Sequence, residues 1–225
     1  LYEQGKFSLN DPVSKFLPEL EDLKVLNEDG ELEPVSTTMR MHHLLTHTAG
    51  FSYGFSNDKV DVQYSHPDLF LSENLDDFVN RVAKLPLKFQ PGTRYNYSIA
   101  VDLTGLIIER LSGQSLDKYF SENIFKPLGM KDTFFQVPED KINRFLTRYR
   151  YDQETKYPVE FPANPNQAMD DFINVSMFSG GGGLVSSAID YMIFAETLRN
   201  GGEYNGERIL SAKTINIYNK SKKIK

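Results

Sequence analysis

Four groups of residues have types and spacings that could do chemistry. His43 and His47 stand four apart, the spacing at which two side chains share a helix face and can hold a metal. Here that face would lie opposite the apolar stripe of their helix. Leu44, however, occupies the place where the H-E-x-x-H pattern puts glutamate, and no third ligand is offered elsewhere. Structural histidines near a helix end, donating to carbonyls, are the better reading, and no metal is expected. Ser56 to Lys59 and Ser115 to Lys118 both spell S-x-x-K, in which a serine opens a helix and a lysine one turn on takes its proton. Ser115 is better explained as a helix N-cap with Lys118 on the wet face. Ser56 sits in a polar loop with no apolar helix behind it. Neither serine reads as a nucleophile. The glycine run at 180–183 has no Lys-Ser/Thr after it, so it is not a phosphate loop, and its glycines serve to let the backbone pass close to something. G-x-S-x-G is absent. Last comes "GTRYNYSIAVDLTG", residues 92–105, which sets a phenol, Tyr97, at the mouth of an apolar helix. That phenol either does chemistry or packs over the helix start, and its residue type alone leaves both open.

The elements that must position these groups are mostly helical. "NDPVSKFLPEL" reads as a helix start, with Asp11 as N-cap and Pro12 at the first helical position. The spacing predicts a short amphipathic helix over 39–48, with Met41, Leu44, Leu45 and Thr48 on one face. Residues 73–84 read as a helix. From Ile99 to Leu111 nearly every uncharged residue is apolar, so that helix is expected to be buried on most sides and to end at Gly113. Ser115 caps the next, whose stripe is Leu116, Tyr119, Phe120 and Ile124. Residues 146–151 and 156–161 read as a hairpin across "DQET". The glycine run is a strand or turn leading into a helix capped by Ser187, with Asp190 at capping-box spacing. "EYNGERIL" is a small hairpin with an Asn-Gly turn, and Ser211 starts a last helix.

Composition excludes several function classes. The chain has 225 residues, 40% of them hydrophobic, with 16 Phe and 12 Tyr, enough to build a sizeable core. The net charge of −6, with acids and bases interspersed, argues against a nucleic-acid partner; the only basic run, "NKSKKIK", reads as a solvated tail. The absence of cysteine removes disulfides, thiolate metal sites and cysteine nucleophiles. No apolar run approaches the roughly 18 residues of a membrane span.

Several blocks, in order, carry a family resemblance. "LYEQGKFSLNDPVSKFLPEL", "MHHLLTHTAGF", "PGTRYNYSIAVDLTGLIIERLSGQSLDKYFSENIFKPLGMKDT" and "GGGGLVSSAIDYMIFAETLRNGGEYNGERILSAKT" together resemble the serine β-lactamase and penicillin-binding-protein superfamily, in its class C and esterase-like branch. The resemblance covers nearly the whole chain; "RYRYDQETKYPVEFPANPNQAM" is its least typical part. It implies an α+β fold of the β-lactamase/transpeptidase type: a mostly helical subdomain beside an incomplete antiparallel sheet. It also implies one domain over 1–225, truncated at both ends. The S-x-x-K nucleophile motif is expected just before Leu1, and the third motif, a strand ending in Gly, beyond Lys225. The chain opens without Met, in keeping with that expectation.

The resemblance makes Tyr97 the motif tyrosine and catalytic residue, a proton shuttle or general base; a phenol beside one or two ammonium groups is favoured as phenolate. Ser98 is the middle and Ile99 the third position of that motif. Substrate contacts are expected from Ser98 and Ile99, from Phe51 and Tyr53 in the loop 50–54, and from Gly181 and Gly182 in the loop 179–183. Ile99 departs from the asparagine frequent in β-lactamases, whose amide can hold a substrate's amide side chain, and this favours esters. The implied activity is that of a serine hydrolase working through an acyl-enzyme on a small-molecule ester or amide substrate, with no cofactor. The alternative is a non-catalytic binding or assembly protein on the same fold.

Overall fold

The computed structural model describes residues 1–160 and 172–219. The tail after Asn219, and position 161 of the expected hairpin, lie outside the described residues. In chain order the elements are β1 (Lys24–Leu26), β2 (Leu32–Pro34), α1 (Met41–Leu45), α2 (Asp61–Tyr64), α3 (Pro67–Phe70), α4 (Leu75–Val82), α5 (Ala100–Ser112), α6 (Leu116–Phe120), α7 (Lys126–Leu128), β3 (Tyr149–Tyr151), β4 (Pro158–Glu160), α8 (Ala188–Arg199), β5 (Glu203–Tyr204), β6 (Glu207–Arg208) and α9 (Ala212–Asn219). Three separate two-stranded antiparallel ladders, β1–β2, β3–β4 and β5–β6, are all the named sheet that the described residues contain. The expected mixture of helices with short strands and an incomplete sheet is what the chain adopts.

Helix α5 is the central beam. Ala100, Leu103, Leu106 and Ile107 are buried, and the helix packs against α1 and α4. Around it lie Val13 and Leu17, Met41 and Leu44, Phe78, Val79 and Val82, and Leu87. Its C-terminus closes on Gly113 at φ 70°, a left-handed conformation that glycine adopts without Cβ strain. A second, smaller cluster gathers Phe125, Leu128 and Met130 against Phe120, Ile193 and Phe194. It ties the α6–α7 arm to one face of α8, while Ile189, Tyr191 and Met192 of that helix are exposed.

Several local expectations are corrected. The segment after Asp11 forms only a 3₁₀ turn, Val13–Lys15; the Asp11 carboxylate accepts instead from the Ser8 amide and Lys15. The helix expected over 39–48 is α1 alone, because Thr46 turns its hydroxyl back onto the His42 carbonyl and His47 adopts φ 53°. His47 is therefore off the helix and shares no face with His43, which is buried, and Leu45, assigned to the apolar stripe, is 48% exposed. Ser115 is the N-cap residue of α6 by position, but its side chain makes no capping bond; the Glu109 carboxylate accepts from the Leu116 amide. Ser187 does cap α8 through the Asp190 amide. Asp190 sends its carboxylate across to the Asp132 amide and the Thr133 hydroxyl rather than closing a capping box. The glycine run is a turn, not a strand.

Candidate active site

The segment before α5 puts Tyr97 on the surface for a simple reason. Ser98 and Ile99 on one side must bury themselves, and Asn96 on the other is tethered, its side-chain amide donating to the Phe51 carbonyl at 2.8 Å. Tyr97 is left 48% exposed. Its ring lies 5.2 Å from that of Tyr53 and 6.4 Å from Phe55, centroid to centroid, with Phe55 nearly parallel to it at 18°. Tyr53 and Phe55 stack on each other at 5.4 Å. Three aromatic rings thus form one wall, of which Phe55 is the most open to solvent.

Beneath that wall lies a buried carboxylate. Asp102, in the first turn of α5, is fully buried. One oxygen accepts the Tyr53 hydroxyl at 2.8 Å. The other accepts the Ser179 hydroxyl at 2.5 Å and the Gly181 amide at 3.1 Å. Ser179 Oγ in turn accepts the Gly182 amide at 3.1 Å. A buried charge needs such donors, since an unsatisfied carboxylate in a low-dielectric interior is very costly. The effect is to lock the loops 50–54 and 179–183 to α5, the helix that Tyr97 precedes. Burial, then the charge of Asp102 and the hydrogen bond to it, push the Tyr53 phenol far above its usual range, so Tyr53 stays a donor.

The glycine turn is shaped by this contact. A Cβ on Gly181 would sit 2.1 Å from the Tyr53 hydroxyl oxygen and 2.6 Å from an Asp102 oxygen, and one on Gly180 would sit 2.6 Å from the Val101 carbonyl oxygen. Only glycine lets the turn come this close to α5.

A second charged knot backs the loop. Lys88 Nζ reaches Asp58 at 2.6 Å and Asp61 at 2.7 Å, and Asp61 also accepts the hydroxyls of Ser52 (2.5 Å) and Ser56 (2.6 Å). Burial works to raise the Asp61 carboxyl, but Lys88 and the two serines outweigh it and hold it below the usual range. Ser56 is thereby committed as a donor to carboxylates, in keeping with its rejection as a nucleophile.

The expected site residues divide. Tyr97 stands against Tyr53, which shares Asp102 with the Gly181 amide; Gly182 lies in the same turn with its amide on Ser179. Phe51, Ser98 and Ile99 stand beside them in sequence but have buried side chains, with Phe51 and Ile99 at 0% exposure inside the core. Ile99 presents no side-chain surface to a substrate in this arrangement, so the preference for esters loses its support from that position. Neither histidine ring is free for a metal at Nδ1: that of His43 accepts the Arg40 amide at 3.1 Å, and that of His47 accepts the Ser98 amide at 3.3 Å. Among the described residues, no group of three or more His, Asp or Glu could hold a metal ion. No described helix is long and apolar enough to cross a membrane.

Sequence reading missed Asp102, Phe55 and the role of His47. Asp102 did leave a signal. It shares a face of an otherwise apolar helix with Gly105, whose backbone lies against Gly180. Glycine on a buried helix lets another backbone come close, and an acid on the same face must find donors there.

Comparison with known proteins decides the ancestry. The Beta-lactamase family matches residues 1–221. The chain belongs to the Beta-lactamase family. Within it, the chain is 34% identical over 221 residues to Protein Rv1367c of Mycobacterium tuberculosis, covering 96% of this chain and 54% of that one. It is 33% identical over 218 residues to Esterase EstB of Burkholderia gladioli, covering 88% and 52%. The solved structure of EstCE1, a hydrolase with promiscuous acyltransferase activity, superposes with a TM-score of 0.74 at 27% identity over 95% of this chain and 56% of that one. The chain spans about half the length of the curated relatives it matches. The fold is thus that of the Beta-lactamase family's serine hydrolases, a group whose members include esterases, penicillin-binding-protein homologues and acyltransferases.

Proposed function

We propose that this chain is the tyrosine-bearing portion of a serine hydrolase that cleaves small esters through an acyl-enzyme, with Tyr97 as the proton shuttle. The observation that carries the reading is the placement of Tyr97: a half-exposed phenol just before the central helix, on an aromatic wall whose Tyr53 is bound through one buried carboxylate to the 179–183 turn. In the reaction a serine hydroxyl contributed by sequence flanking this chain attacks the ester carbonyl and yields its proton to Tyr97. The proton passes to the leaving alkoxide, and water then releases the acyl group by the reverse transfers. The rings of Tyr53, Phe55 and Tyr97 offer an apolar, flat surface to the acyl or aryl part of the ester. They offer no amide for the side chain of a β-lactam. The likeness to Esterase EstB supports the same substrate class, and that to EstCE1 a hydrolase.

The test is turnover of p-nitrophenyl butyrate against a chromogenic cephalosporin by the protein produced with its flanking sequence. The ester is expected to be the better substrate. Tyr97→Phe is expected to lower kcat about 100-fold, the size of a lost proton-transfer catalyst, while folding survives the loss of one hydroxyl. Undiminished ester turnover by the Phe variant would remove Tyr97 from the mechanism. A protein inert to both substrates would favour a binding or assembly role on the same fold.

A further inference from the structure

Both neighbours of Tyr97 are held by one residue. The carbonyl of His47 accepts the Asn96 amide at 2.9 Å. The Nδ1 of its ring accepts the Ser98 amide at 3.3 Å and lies 3.5 Å from the Ser98 hydroxyl. The same ring lies 4.8 Å from the Tyr97 ring and 6.0 Å from Tyr95. His47 adopts φ 53°, a left-handed conformation that few non-glycine residues take, and so presents its carbonyl and its ring to the same short segment. The conformation comes directly after α1, whose buried Met41 and Leu44 anchor it in the core.

We infer that His47 is the positioning residue for Tyr97: it clamps residues 96 and 98 from one side and sets where the phenol between them points. The ring acts as an acceptor, so it must be neutral and carry its proton on Nε2. Burial favours that neutral form, with the charge of Asp102 opposing. The clamp is a statement about geometry alone; its consequence for turnover rests on the function proposed above.

Two variants separate the backbone from the ring. His47→Gly keeps the left-handed conformation and the carbonyl but removes the acceptor. His47→Asn tolerates the same conformation and places an amide oxygen close to where Nδ1 stood. Hydrogen exchange at the Ser98 amide is expected to accelerate roughly five- to tenfold in the glycine variant, the loss of about one net hydrogen bond. In the asparagine variant it is expected to stay within about twofold of wild type. The Tyr97 ring resonances should shift in the first and return in the second. NMR of the labelled imidazole in the unaltered protein needs no variant: an Nδ1–H tautomer would overturn the clamp, as would unchanged Ser98 exchange in His47→Gly. In the protein that turns over ester, kcat should fall with glycine and recover with asparagine while KM holds. If Ser98 loosens in the glycine variant and kcat does not move, the clamp stands and the catalytic reading of Tyr97 fails.

Discussion

Replacing Asp102 with alanine tests whether one buried carboxylate holds the site together. The substitution strands three donors at once: the Tyr53 hydroxyl, the Ser179 hydroxyl and the Gly181 amide. Hydrogen bonds to a charged acceptor contribute about 1.5–3 kcal/mol each, so a simple sum is roughly 4.5–9 kcal/mol. Three bonds on one acceptor are not additive, and losing the carboxylate also removes the cost of burying its charge. The net expectation is a loss of about 3 kcal/mol, or about 6–12 °C in Tm for a chain of this size. Asp102→Asn separates charge from bonding. Its remaining oxygen can keep Ser179 and Gly181, and its amide nitrogen can donate to Tyr53 once that hydroxyl turns to accept. The Asn variant should therefore lose no more than about 1.5 kcal/mol. Thermal and urea unfolding measure both, and exchange at the Gly181 amide reports whether the turn has come loose. An alanine variant within about 0.5 kcal/mol of wild type would refute the argument, since that is the size of an ordinary surface substitution. An asparagine variant as costly as alanine would show that charge, not donor satisfaction, is what the site needs.

Other substitutions probe the parts around it. Gly181→Ala should force the Tyr53 hydroxyl off Asp102 and cost about 1.5–3 kcal/mol by urea unfolding. Lys88→Met leaves the buried Asp61 carboxylate without its cation and should destabilise by about 3–5 kcal/mol at neutral pH; a smaller loss at pH 3, where that carboxylate can protonate, is the accompanying sign. Burial, with the charges of His42 and Arg40, lowers His43 from its ordinary 6.5 to about 4. Between those values the unfolded chain binds a proton that the native ring refuses. Stability is therefore full above pH 6.5, falls as pH drops toward 4 and levels below it, by about 2–3 kcal/mol. His43→Asn, which keeps an acceptor for the Arg40 amide, should flatten that part of the stability–pH curve.

Short-range signals were legible in the sequence. The apolar run from Ile99 predicted the central helix, and Gly113 ends it because a single local conformation there needs no Cβ. Ser187 capped its helix as read, since a cap joins residues three apart. The Asn-Gly hairpin formed because its turn is made by two adjacent residues. The ordered blocks around "YSI" carried the family, which made Tyr97 stand out; the structure sets its ring against Tyr53 and Phe55. Other features were settled by partners far along the chain. Asp102 reads as one charge on an apolar helix until Tyr53 and Gly181, 49 and 79 residues away, are brought to its two oxygens. His47 reads as half of a metal pair until the helix stops short and its ring turns to Ser98, 51 residues on. Ile99 reads as a substrate contact by its place in a motif, yet the helix it precedes buries that side of the chain. Periodicity and capping act through neighbouring residues, so the sequence carries them. Which buried charge finds which donor, and which ring closes on which loop, depends on packing, and only the tertiary structure decided it.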